Sequence, residues 1–371
     1  MTRFGFLSTF PPTRCGLATF THSLATAMAL APAAEVRIVR VLDADEARAP
    51  APTPLHATQG VELVAGDQAS LLRAAAALST VDVAVVQHEY GIYGGTDGDE
   101  VLQVMRAVRV PIIAVLHTVL AHPTAGQRFV LERVGSLAAS VVVMTETART
   151  LLLEHYAVPF RKVVLIPHGV HEARVAPPTH ERGRNVLTWG LIGPGKGIEW
   201  GIRAMAHLAD PTARYTVIGQ THPKVLAFEG ERYRNHLQDV IDELDLADTV
   251  TLDDRYLDAD ALASAVAAAD VVLLPYDSRE QVTSGVLVEA IAAGLPVVAT
   301  AFPHAIELLD RGPGIVVEHE NSAAIATALR TLFANDLSAA EARTSAADST
   351  WHWVAGRYEA LADDLLSSVA A

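Results

Sequence analysis

Residues 271–300 read VVLLPYDSREQVTSGVLVEAIAAGLPVVAT. An apolar run at 271–275 ends in a polar loop, a helical pattern opens near Ser284, and a second apolar run follows at 296–300. Strands that are apolar on both faces, joined by a short helix, belong to a parallel sheet covered by helices on each side. The loop (Arg279, Glu280, Gln281) and the helix start (Thr283, Ser284, Gly285) lie beyond a strand's carboxyl end, where open α/β sheets bind ligands. A helix N-terminus offers unpaired N–H groups and the positive end of its dipole, and Gly285 lets an anion come close to them. Glu289 follows at i+4 on the same face. Its carboxylate would repel phosphate but accept hydrogen bonds from a ribose diol. The combination suits a nucleotide, although Thr283 or Ser284 would equally serve as an ordinary helix cap.

The same alternation extends in both directions. Strands are predicted at 4–8, 36–41, 61–64, 83–87, 112–116, 141–144 and 163–166, with helices at 17–30 and about 68–78, 98–108, 125–137 and 145–156. A stretch bearing Pro, Gly and His, from 167 to 183, has no period and reads as a linker. A second run follows. Its strands are predicted at 186–192, 215–218, 250–252, 271–274, 297–299 and 315–317, and its helices at about 198–208, 230–245, 259–268, 284–293, 303–309 and 321–334. The tail from Ala339 reads as one or two helices anchored by Trp351, Trp353 and Tyr358. At 371 residues the chain exceeds what one core usually serves. The expected division is a first α/β domain at 1–170, a linker at 171–184, a second doubly wound domain at 185–350 and a helix at 351–371.

Composition narrows the function. Half the residues are hydrophobic and 19% are charged, which is ample for buried cores. Residues 1–184 hold equal numbers of acidic and basic side chains, so the net charge of −15 resides in the second half. That balance argues against a duplex nucleic-acid binder and against an electrostatic membrane anchor. A single cysteine, Cys15, excludes an internal disulfide framework and suits a reducing compartment. Met1-Thr2-Arg3 leads directly into a strand, and no apolar run reaches the roughly 20 residues needed to cross a bilayer. The expectation is a cytoplasmic protein.

Several constellations sit at strand ends. Gly16 opens the first helix, where it would serve either a diphosphate or simply the turn. Residues 190–197, GLIGPGKG, match the first seven positions of a P-loop, but Gly197 stands where the Mg²⁺-holding hydroxyl belongs, so an NTPase is not expected. The loop's N–H groups and the ammonium of Lys196 would still clamp a diphosphate. His117-Thr118 and His88-Glu89-Tyr90 follow neighbouring strands, and His168 closes another. Asp43-Ala-Asp45 and Asp258-Ala-Asp260 have a spacing that can hold a divalent ion, but their contexts read as a solvated loop and a helix cap. No metal site is expected, and no Gly-x-Ser-x-Gly nucleophile elbow occurs.

Taken together, the segments WGLIGPGKGIE (189–199), VIGQTH (217–222) and 271–300 make the chain resemble a retaining glycosyltransferase of GT-B fold, in glycosyltransferase family 4. The resemblance implies two Rossmann-like doubly wound domains facing a central cleft. The nucleotide-sugar donor would lie on the C-terminal domain and the acceptor on the N-terminal one, with the final helix crossing back to the first domain. It implies that Glu289, the second acid of a Glu-x7-Glu motif, holds the donor ribose. The first position of that motif is Gln281 here, with Glu280 one residue early, so the sugar preference departs from the pattern. Lys196 takes the place of the diphosphate lysine, and Leu191 stands where an arginine is often found. Gly16 matches the N-terminal loop glycine, and His117 matches a histidine beside the donor sugar.

The activity implied is transfer of a hexosyl group from a nucleoside diphosphate sugar to a sugar or small-molecule acceptor, with retention, no metal and no separate cofactor. Lys196 and the N–H groups of Ser284, Gly285 and Val286 would stabilise the leaving diphosphate. His117, Glu280 and Gln281 would contact the sugar, and Arg255 and Tyr256 the base. Three alternatives remain open on the sequence. One is a phosphorylase of the same fold using sugar 1-phosphate. The others are a sugar-nucleotide epimerase and a nucleotide-sugar-binding protein with little activity.

Overall fold

The computed structural model describes the whole chain except residues 31–33, 44–46, 48–57, 172–182, 311, 335–348 and 371. Two compact units emerge: Met1–Gly169 together with Ser349–Ala371, and Val170–Asp348. Each is built on one parallel sheet. Most of the expected 171–184 linker, Asp45 and the start of the expected tail helices lie outside the described residues.

In the first unit the strands are β1 (Thr2–Ser8), β2 (Ala34–Leu42), β3 (Thr58–Val64), β4 (Val83–His88), β5 (Ile112–Leu116), β6 (Ser140–Val143) and β7 (Val163–Leu165). They pair in parallel in the order β3-β2-β1-β4-β5-β6-β7. Helices α1 (Gly16–Leu30), α2 (Gln68–Leu78), α3 (Val101–Ala107), α4 (Ala125–Leu137) and α5 (Glu146–His155) make the crossovers. β4 and β5 are buried at every position, which is why they carry Val, Ile and Ala without alternation. Polar ends are fixed locally: Thr124 and Gln127 form a reciprocal capping box on α4, and Thr145 caps α5.

The second unit holds β8 (Asn185–Trp189), β9 (Arg214–Ile218), β10 (Val250–Asp253), β11 (Val271–Leu274), β12 (Val297–Thr300) and β13 (Gly314–Val317), in the parallel order β10-β9-β8-β11-β12-β13. Its helices are α6 (Ile198–Leu208), α7 (Pro223–Glu229), α8 (Arg232–Glu243), α9 (Ala259–Ala267), α10 (Gly285–Ala292), α11 (Pro303–Leu309) and α12 (Ser322–Ala334). Apolar clusters fill both faces of the sheet. Sequence periodicity missed α7, none of whose residues is buried, because an element without an apolar stripe leaves no period to read. β8 also ends at Trp189, three residues before the expected 192, since Gly190 turns to a φ of 121°.

Helix α13 (Trp351–Ala370) packs on α1 within the first unit. Trp351 and Tyr358 are buried there as expected of anchors, but Trp353 is 37% exposed, with Arg357 lying over its ring. Gly169 is required at this junction, because a Cβ would overlap the indole of Trp351.

Candidate functional site

The strand order of the second sheet reverses between β8 and β11, so a crevice is expected outside their carboxyl ends. Residues 190–197 enter it from β8 and residues 275–284 from β11. The two segments are locked together. The Asp277 N–H donates to the Gly195 carbonyl at 3.0 Å, and the Trp200 indole donates to Asp277 at 3.0 Å. Gly197 has a φ of 58°, and a Cβ there would overlap the Pro275 carbonyl oxygen. No serine or threonine fits at 197, which gives a steric reason for the departure from the P-loop pattern.

Lys196 occupies the tip of this turn. Its ammonium lies 4.4 Å from the centre of the Tyr276 ring, and it makes no ion pair with any described residue. Nearby, the 219–225 segment leans on the same loop: Ile192 bridges Thr221, and the His222 N–H donates to the Ile192 carbonyl at 2.7 Å. His222 is pushed below the ordinary histidine range by burial, then by the charges of Lys224 and Lys196.

At the start of α10, Ser284 is a true N-cap, its hydroxyl accepting from the Leu287 N–H at 3.3 Å. Its own N–H, however, donates to Nδ1 of the buried His304 at 2.8 Å. This corrects the expectation for Ser284: its amide is already committed. The N–H groups of Gly285 and Val286 have no partner among the described residues and remain for an anion. His304 also donates its backbone N–H to the Gln281 carbonyl at 3.3 Å, so one histidine staples the loop to the helix start. The Gln281 amide is turned onto the Thr283 carbonyl at 3.2 Å, and Glu280 is half-buried.

Glu289 is raised above the usual carboxylate range by burial, an effect opposed by a hydrogen bond from the Trp189 side chain. A half-buried acid with no cation paired to it among the described residues, at the expected i+4 position, suits the role of acceptor for hydroxyl groups. Arg255 is exposed and forms a forked pair with Asp253 (Nε at 2.9 and 3.0 Å), which holds Asp253 below its ordinary value. Its guanidinium is therefore engaged rather than free for a base. Asp258 caps α9 by accepting from the Ala261 N–H at 2.8 Å, in keeping with its reading as a capping acid.

In the first unit the order reverses between β1 and β4. Cys15 caps α1: its carbonyl accepts from Thr19, and its thiol lies 3.4 Å from the Ala18 N–H and 3.1 Å from the Thr9 hydroxyl. A Cβ on Gly16 would meet nothing within 4 Å, so neither crowding nor a left-handed φ demands glycine there. His117 Nε2 is 2.6 Å from Oε1 of Gln87, a fully buried side chain at the end of β4. Its ring stands edge-on to Phe20 at 4.8 Å. Burial, then His168 and His88, push His117 down to about 3. It is a neutral imidazole. His168 donates from Nδ1 to the Gly169 carbonyl at 2.7 Å and packs with Phe20 and Trp351, which assigns it to the aromatic junction. Glu89 accepts the Thr118 hydroxyl at 2.5 Å.

Sequence reasoning missed Gln87, Trp189, Tyr276 and His304. The one available signal was Gln87, a polar residue closing an otherwise apolar strand.

With this geometry in place, comparison with known proteins gives a consistent answer. A sucrose-phosphate synthase from Thermosynechococcus elongatus superposes with a TM-score of 0.74 at 19% identity, covering 99% of this chain and 100% of that one. HepE from Anabaena, solved with UDP and glucose, gives 0.72 at 17% identity over 98% and 100%. A glycosyltransferase from Rickettsia africae gives 0.71 at 15% identity over 98% and 99%. The fold is GT-B.

Within the GT-B chain, residues 183–335 match the family model described as glycosyl transferases group 1, which covers most of the second unit. A D-inositol 3-phosphate glycosyltransferase from Kineococcus radiotolerans is 29% identical over 258 residues, 60% of this chain. The match spans 58% of that relative's length. Two Rossmann-like sheets, each with polar residues gathered where the strand order reverses, are the frame on which the GT-B site is read.

Proposed function

We propose that the protein transfers a hexosyl group from a nucleoside diphosphate sugar, with retention and without a metal ion. The observation that carries this reading is the second unit's switch point. There an ammonium without an ion pair among the described residues (Lys196) and the open N–H groups of Gly285 and Val286 emerge from the ends of neighbouring strands β8 and β11. Glu289, one turn into α10, takes the ribose hydroxyls. Glu280 and Gln281 lie on the sugar side, with the amide of Gln281 accepting or donating without charge.

As the bond from the anomeric carbon to the diphosphate breaks, negative charge grows on the leaving oxygen. The ammonium and the two amides meet it, and a well-placed donor of this kind is worth roughly 3–4 kcal/mol. The acceptor hydroxyl then attacks from the same face, and its proton passes to the departing phosphate oxygen. His117 is a poor base at neutral pH, since burial holds it down to about 3. Its role is that of a neutral hydrogen-bonding group of the first unit, and its low basicity favours the phosphate as the proton's destination. Gly16 leaves room at the start of α1, and the acceptor belongs to the first unit.

A thermal-shift series with UDP, GDP and ADP tests the reading, because a ligand that binds only the folded state raises the melting temperature. One of the three is expected to give a saturable rise that Lys196→Ala abolishes. Absence of any rise, or an undiminished rise in the variant, overturns it. Donor turnover measured with and without inorganic phosphate separates the transferase from a phosphorylase.

A further inference from the structure

A cation that must receive a diphosphate has two requirements in conflict. It has to be held in place, and it has to keep its charge. A carboxylate partner would meet the first but would offset the positive potential of the site and compete with the phosphate for the ammonium. Other cations of this unit are held in that way: Arg255 on Asp253, Arg279 on Glu320 at 3.8 Å and Arg234 on Glu231 at 3.6 Å. Lys196 is held differently. Its Nζ sits 4.4 Å from the centroid of Tyr276, a ring face that attracts an ammonium through its quadrupole and leaves the charge intact.

Tyr276 is built to stay where it is. Its side chain is 1% exposed and stacks on Phe302 with ring centres 5.2 Å apart. Its carbonyl accepts from the Thr300 hydroxyl at 2.6 Å and from the ring of His319 at 2.8 Å. The turn carrying Lys196 is fixed to the same segment through Gly195, Gly197 and Asp277. The phenol oxygen, in contrast, is buried with no hydrogen-bond partner among the described residues. A tyrosine conserving its hydroxyl for a bond would not be placed so; the ring is what the site uses.

We propose that Tyr276 is a positioning residue whose ring face seats the Lys196 ammonium at the β8/β11 switch point, ready for a diphosphate. This rests on the transferase reading above. The seat requires that affinity for a diphosphate follow the electron density of the ring rather than its shape.

The test replaces Tyr276 with phenylalanine and then with mono-, di- and trifluorinated phenylalanines, titrating each with UDP, GDP, ADP and inorganic pyrophosphate by calorimetry. Tyr276→Phe is expected to bind within about twofold of the parent chain, and each added fluorine to weaken binding further, to a total of roughly 5–20-fold. Tyr276→Leu should fall at the far end of the same trend, with an unchanged urea midpoint in the fluorinated members showing that the fold is intact. A flat response across the fluorinated series, with binding by the parent chain intact, overturns the seat and leaves the transferase reading standing. Failure of the parent chain to bind any of the four probes overturns both.

Discussion

The two units share a sheet design and treat charge in opposite ways. At the first switch point the histidines are held neutral: half-buried His117 bonded to the buried Gln87, and His88 buried and pushed down to about 4. At the second, a lysine lies over a ring face, two helix N–H groups stay open and burial raises the Glu289 carboxyl above its usual range. Yet it is residues 185–371 that carry the net charge of −15. Local geometry, not overall charge, decides where an anion is received, because screening in water confines bulk charge to about 10 Å while the loops present their donors at contact.

The sharpest way to break this contrast is to remove the open cation. Lys196→Ala should lower donor turnover by about two orders of magnitude or more, read from steady-state kinetics; near-normal rates would mean that the second switch point is not where charge is met. Next in size is the packing of that loop. Gly197→Ser restores a P-loop consensus but places a Cβ on the Pro275 carbonyl, and a loss of about 2–4 kcal/mol in urea unfolding is expected.

Acid should separate the units more gently. A histidine whose folded value lies below 6.5 binds its proton more readily when unfolded, so stability is present above about pH 6.5 and is lost as pH falls towards the folded value. His88 and His117 should each withdraw of the order of 1–2 kcal/mol by pH 5, so His88→Leu should flatten the loss of melting temperature between pH 7 and 5.

Glu289 has the opposite sign. Its folded value is raised, so its ionised form is disfavoured in the fold, and the penalty grows as pH rises above the ordinary glutamate range. Glu289→Gln should therefore stabilise the free protein at pH 7.5, with the gain vanishing as pH falls through the ordinary glutamate range, while weakening nucleoside diphosphate binding. The smallest effect is expected at Arg255, already paired with Asp253: Arg255→Ala should change donor affinity by less than about threefold. A tenfold loss would instead make this arginine part of the site.

Much of the frame was legible from periodicity. The apolar runs became strands because a parallel sheet under two helical layers leaves no face for polar residues, and β4, β5, β6, β11 and β12 are buried throughout. The cap at Ser284 and the glycines of 190–197 followed from backbone rules that act within a few residues. Tyr276 lies within residues 271–300, and nothing local distinguishes it from a packing residue. Trp353 looked like an anchor equal to Trp351, and only the docking of α13 left one of them at the surface.

The sequence alone determined the alternation of strands and helices, the absence of a basic stripe and the positions at which polar loops must leave strands. These depend on hydrophobic period and on turn chemistry, which are properties of neighbouring residues. Tertiary structure decided which of those loops share a crevice, that the Ser284 amide belongs to His304, and that Lys196 rests on the Tyr276 ring. Those outcomes join residues 20 to 80 positions apart in the chain. The strand order brings such residues together, and no local pattern encodes it.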